Sequence, residues 1–122
     1  MALSLKKPAE LVDVIESTAL TLHDRRIYNL LINNAFKTIT EDKEHAIRKS
    51  ELAEVTQYRN DRLGTCIENL MSSIVRLRSV RDGTPVLTRV QLLGATSEDY
   101  DRDGFIYYRF PPELRAVLND NV

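Results

Sequence analysis

The residues able to do chemistry in this chain are mostly arginines set at regular intervals in its second half. Arg76 and Arg78 alternate with Val75, Leu77 and Ser79, a period of two that places both guanidiniums on one face of a strand. Arg81 follows just before Asp82-Gly83, and Arg89 adds to the same hairpin with only Asp82 to offset them. Upstream, Arg59, Asn60 and Arg62 bracket the start of a helical pattern, and Lys49-Ser50 precede another. Guanidinium forks fit phosphate oxygens, and the free amides of a helix N-terminus accept anions as well. The chemistry suited to this set is recognition of a polyanion. The bland alternative is a solvated hairpin face and local ion pairs involving Asp61 or Glu68, worth roughly a few tenths of a kcal/mol.

Other chemistries find less support. Cys66 is the only cysteine and His23 and His45 the only histidines, whereas a protein-only zinc site needs about four such ligands. Beside Leu63 and Ile67, Cys66 is expected to be a buried hydrophobe and not a nucleophile. Asp99-Tyr-Asp101-Arg-Asp103-Gly104 matches the opening of a calcium loop, but Phe110 stands where the bidentate Glu should be, and strands flank it. A solvated acidic loop is the expected reading. The four glycines form no phosphate-cradling loop. No enzyme activity, metal or cofactor is expected.

The arginines need elements to hold them. Ser50 opens a short helix over 51–55, residues 56–60 interrupt it, and residues 61–71 form a longer helix with Leu63, Ile67, Leu70 and Met71 at helical spacing. Asn60 is its N-cap. A β-hairpin then turns at Asp82-Gly83, since both central positions of a type I′ turn require positive φ. Its return strand covers 84–93, with Pro85 tolerable near an end or edge. Ahead of these, Thr21 and Asp24 form a capping box for a helix to about Phe36, whose Ile27, Leu30, Leu31 and Ala35 share a face. His45-Ala46-Ile47 is a short strand, residues 11–15 another, residues 94–104 an acidic loop, and residues 105–110 a strand that Pro111-Pro112 ends before a last helix over 113–118. Helix, turn, helix and β-wing in this order form an arrangement whose usual task is to grip duplex nucleic acid.

At 122 residues the chain fits one domain, residues 1–122, with an ordered core over about 11–118. Its 43% hydrophobic and 29% charged composition excludes a disordered chain, and no run approaches the roughly 20 apolar residues of a membrane span. A single cysteine and a start without a secretory pattern fit a cytoplasmic protein. The net charge of −1 counts against a nucleic-acid binder, but charge is sorted. Residues 45–93 hold eight Lys/Arg against five Asp/Glu, and residues 94–104 hold one against four.

Three patches resemble the N-terminal winged-helix domain of the iteron-binding plasmid replication initiators of bacteria. They are residues 20–35 (LTLHDRRIYNLLINNA), residues 52–70 with Tyr58-Arg59-Asn60 and the Leu63, Leu70 spacing, and residues 104–114 (GFIYYRFPPEL). In order they span about residues 11–118. The resemblance implies an α+β winged helix, three to four helices on a small antiparallel sheet, acting in DNA replication initiation and followed by a second winged-helix domain in a longer protein. It implies double-stranded origin DNA as partner, host replication proteins as further partners, and homodimerisation.

The candidate DNA-binding residues are Lys49, Ser50, Arg59, Asn60, Arg62, Arg76, Arg78 and Arg81. The candidate dimer surface is a half-exposed sheet edge carrying Val86, Thr88, Val90, Leu92, Phe105 and Tyr107, because unpaired strand groups template a second copy. Ile27, Leu30, Leu31, Leu52, Leu63, Ile67, Leu70, Val75, Leu77 and Phe110 are the expected core. The competing class is a winged-helix protein-interaction module or a transcription regulator without a replication role.

Overall fold

Thr21 and Asp24 start the first helix as their types and spacing demand. The Asp24 amide donates to Thr21 Oγ1 and the Thr21 amide to Asp24 Oδ2, both at 3.1 Å, so two otherwise orphaned donors are satisfied reciprocally. The computed structural model describes residues 13–16, 20–56 and 60–119. Along the chain these form β1 (Asp13–Glu16), α1 (Leu22–Ala35), β2 (His45–Arg48), α2 (Lys49–Thr56), α3 (Asn60–Ser72), β3 (Ile74–Arg81), β4 (Thr84–Gln91), β5 (Thr96–Glu98), β6 (Phe105–Tyr108) and α4 (Pro112–Asn119), with a 3₁₀ turn at Phe36–Thr38 after α1. Residues 11 and 12 of the expected first strand lie outside the described residues.

The strands form two antiparallel three-stranded sheets, ordered β1-β3-β4 and β2-β6-β5. The helices pack around α1, which buries Ile27, Tyr28, Leu31, Ile32 and Ala35. Leu63, Cys66, Ile67 and Leu70 of α3 complete the core with Leu52, Val75, Leu77, Leu92, Leu93, Ile106, Tyr108, Phe110 and Leu114. Every expected core residue is buried except Leu30, which packs against the cluster only in part. Buried hydroxyls tie the layers together. Tyr28 Oη donates to the Leu92 carbonyl at 3.0 Å, and Tyr108 Oη donates to the Leu31 carbonyl at 2.6 Å while accepting from Asn34 Nδ2 at 3.0 Å. Burial raises the pKa of both phenols, that of Tyr108 to about 12.

The hairpin turns where its dipeptide dictates, with Asp82 at φ 51° and Gly83 at φ 77°. Two features differ from the expectation of a single sheet. β6 pairs with β2 and β5, so β4 and β6 belong to different sheets. β5 forms inside the stretch expected to be wholly loop, because a short polar strand carries no alternation and exists only through its pairing with β6. The last strand also stops at Tyr108, although Phe110 remains buried.

Candidate nucleic-acid interface

Cross-strand register decides where the wing arginines sit. In the β3–β4 ladder Arg76 lies directly opposite Arg89, Arg78 opposite Leu87 and Arg81 opposite Thr84. Val75 and Leu77 of β3 and Val90 of β4 are buried, so by strand alternation Arg76, Arg78 and Arg89 share the outer face, while Arg81 lies on the other face beside the turn. All four are exposed. Like charges placed directly across a ladder repel, so the Arg76–Arg89 pair is an arrangement that an anion relieves. Neither strand contains an acidic residue.

On α3 the exposed side chains include Arg62, Thr65, Glu68 and Asn69, with Ser50, Glu51 and Glu54 exposed on α2. Arg62 and Ser50 are therefore surface groups, as the spacing predicts. Arg59 and the side chain of Asn60 lie outside the described residues. The α2–α3 surface mixes signs, whereas β3 and β4 carry only basic charge; the acids beside them include Asp82 in the turn and Asp13 of β1, which lies directly opposite Arg78.

Lys49 requires a correction. Its side chain is 4% exposed, and its ammonium turns inward to donate to the carbonyls of Asp99 and Asp101 (the latter at 3.1 Å) and to pair with Glu98 Oε2 at 3.2 Å. The Lys49 amide also donates to the Gly104 carbonyl at 3.1 Å. The expected solvated acidic loop is thus organised around an internal cation. Its carboxylates serve the backbone: Asp99 Oδ2 accepts from the Phe105 amide at 2.9 Å and Asp101 Oδ1 from the Asp103 amide at 3.2 Å. Gly104 is needed there, because a Cβ would meet Asp99 Cβ at 2.5 Å. Sequence reasoning missed this clamp, since nothing in local spacing connects residue 49 to residues 98–104. Among the described residues, no group of three or more His, Cys, Asp or Glu could hold a metal.

The candidate dimer residues divide in the same way. Leu92 is fully buried beyond the end of β4 and Val90 is 7% exposed, so both belong to the core and not to a surface. Val86 and Thr88 are half-buried on the inner side of β4. Phe105 and Tyr107 stack on the outer face of the other sheet at 6.2 Å, with Arg48 4.9 Å above the Phe105 ring. Their strand β6 is central and not an edge, which removes it from the expected edge surface. Among the described residues, β4 keeps one unpaired edge.

Two further titratable groups are silenced by packing. Burial, then the hydrogen bond and charge of Asp24, push the Cys66 thiol up to about 12, with Arg62 opposing. The His45 ring packs against Tyr108 and Phe110, its Nε2 unpartnered, and burial with the nearby Lys43 and Arg109 charges lowers its pKa against the opposing Glu41. Neither arrangement provides an activated nucleophile or base.

The comparisons agree with this geometry. The chain is similar in structure to the MSBI1.176 WH1 domain, a replication protein isolated from a multiple sclerosis patient, with a TM-score of 0.65 at 14% identity over 82% of this chain and 81% of that one. No curated protein sequence matches. The family model described as initiator replication protein, WH1, matches residues 4–121, and the chain belongs to that family of replication initiator domains.

Proposed function

We propose that this domain binds duplex DNA in the initiation of plasmid replication, with the β3–β4 wing gripping phosphates and the start of α3 lying nearest the major groove. The observation that carries the reading is the exposed wing, whose two strands hold four arginines and no acid, with Arg76 and Arg89 in direct register. Arg76, Arg78 and Arg81 are the phosphate contacts. Ser50, Arg59, Asn60 and Arg62 flank the groove. Such contacts position a protein on DNA, while base contacts supply sequence choice. Origin iterons are the natural target, and the free β4 edge is the surface through which two copies pair.

Gel-shift titration on random and iteron-bearing duplexes over a salt series tests the DNA reading. Arg76→Ala weakens binding to any duplex about equally and flattens the slope of log K against log salt by about one unit. Absence of binding to either duplex at low salt rejects it in favour of a protein-interaction module, for which the net charge of −1 speaks. Sedimentation equilibrium at micromolar concentration tests pairing, and a clean monomer rejects it.

A further inference from the structure

Phosphate binding accounts for the arginines of the wing but not for the apolar side chains beside them. Ile74, Val80 and Leu87 are 36%, 53% and 43% exposed, and the register puts all three on the outer face that carries Arg76, Arg78 and Arg89. Pro85 sits directly across from Val80. Arg78–Leu87 and Val80–Pro85 of this face, with the inner-facing Ser79–Val86 pair between them, line a shallow groove of about 450 Å³ toward the turn end of the hairpin. The face thus runs from an apolar patch near the turn, past Arg78 with Asp13 of β1 directly opposite it, through the Arg76–Arg89 pair, to Ile74.

We infer that this face docks an amphipathic acidic helix from a partner protein. Charge complementarity selects the occupant. Glutamates on such a helix reach the Arg76–Arg89 band while its apolar stripe covers Val80, Pro85 and Leu87, groups a phosphate backbone leaves exposed to water. The dimensions agree. The six residue-to-residue steps of strand from Ile74 to Val80 span about 20 Å at roughly 3.4 Å each, and a helix of about 14 residues has the same length. A second copy laid face to face about a twofold through this band sets arginine against arginine, which disfavours self-association here. The partner covers the same arginines as duplex DNA, so the two compete.

The test uses the domain and a labelled 14-residue helical peptide with leucines on one face and glutamates elsewhere, followed by fluorescence anisotropy without nucleic acid. The result expected is saturable binding, with hydrogen-exchange protection confined to β3 and β4. Val80→Ser/Leu87→Ser and Arg76→Gln/Arg89→Gln each weaken it by at least about tenfold, while a scrambled peptide of the same composition binds far less. These positions are exposed, so unchanged melting curves confirm that the variants fold. No binding, equal binding of the scrambled peptide, indifference to Val80→Ser/Leu87→Ser, or protection elsewhere overturns the inference. Binding of phosphatidylglycerol vesicles without binding of the peptide also overturns it, in favour of a lipid surface. Duplex affinity measured in parallel is a separate readout, so loss of one reading leaves the other standing.

Discussion

Replacing Lys49 with Met separates the buried clamp from a phosphate contact. Met keeps most of the apolar stem volume and removes the charge, so packing changes little. What is lost are the hydrogen bonds from the ammonium to the Asp99 and Asp101 carbonyls and the pairing with Glu98. A hydrogen bond involving a charged group contributes roughly 1.5–3 kcal/mol where water cannot replace it. Here Asp101 is exposed and Asp99 half-buried, so both carbonyls partly rehydrate. Glu98 is 48% exposed, which reduces the ion pair to about 0–1 kcal/mol. The net expectation is a loss of about 2–4 kcal/mol, or a drop in Tm of roughly 8–16 °C for a domain of this size. Urea and thermal unfolding followed by circular dichroism measure it. Hydrogen exchange adds position: the amides of Lys49, Gly104 and Phe105 lose protection before those of α1. The salt slope of DNA binding stays unchanged. A variant with unaltered Tm and a slope flattened by one unit refutes the clamp and returns Lys49 to the DNA surface.

Three other perturbations follow from burial. Leu70→Ala removes a fully buried side chain between α3 and the sheets and lowers unfolding free energy by about 2–5 kcal/mol in urea titration; a change under about 1 kcal/mol contradicts the core assignment. Cys66, with its thiol pushed up to about 12 from an ordinary 9.0, reacts with a disulfide reagent at pH 8 roughly a thousandfold more slowly than in the unfolded chain, and comparable rates contradict its burial. The His45 pKa is lower folded than unfolded, so the folded state binds fewer protons; its contribution is fully present above the ordinary 6.5 and falls as pH drops through that value toward the depressed folded pKa. Unfolding free energy therefore declines below about pH 6.5, and His45→Phe, which keeps the ring packing, reduces that slope; an unchanged slope assigns it to other groups.

Much of the fold is written locally. The Thr21–Asp24 box, the Asp82-Gly83 turn, the period of two around Arg76 and the helical spacing of Leu63, Ile67 and Leu70 each act over a few residues, and each appears where its chemistry requires. The exposure of Arg76 and Arg78 was legible for the same reason, because alternation against buried Val75 and Leu77 fixes the face.

What only the tertiary structure decided are relations between distant residues. The separation of the strands into two sheets depends on β6 choosing β2 and β5 in place of the hairpin, a choice set by packing under α1 and by no local pattern. β5 exists only through that partner. Lys49 looks like any surface lysine ahead of a helix, and its inward turn comes from carbonyls some fifty residues away that leave a buried ammonium its donors' partners. Leu92 continues the alternation of Val86, Thr88 and Val90, and only the packing decides that this set faces inward; there the Leu92 carbonyl accepts from the Tyr28 hydroxyl and its amide donates to the Ser73 carbonyl. Local sequence fixes period and turn, while long-range contacts choose which face and which partner each element finds.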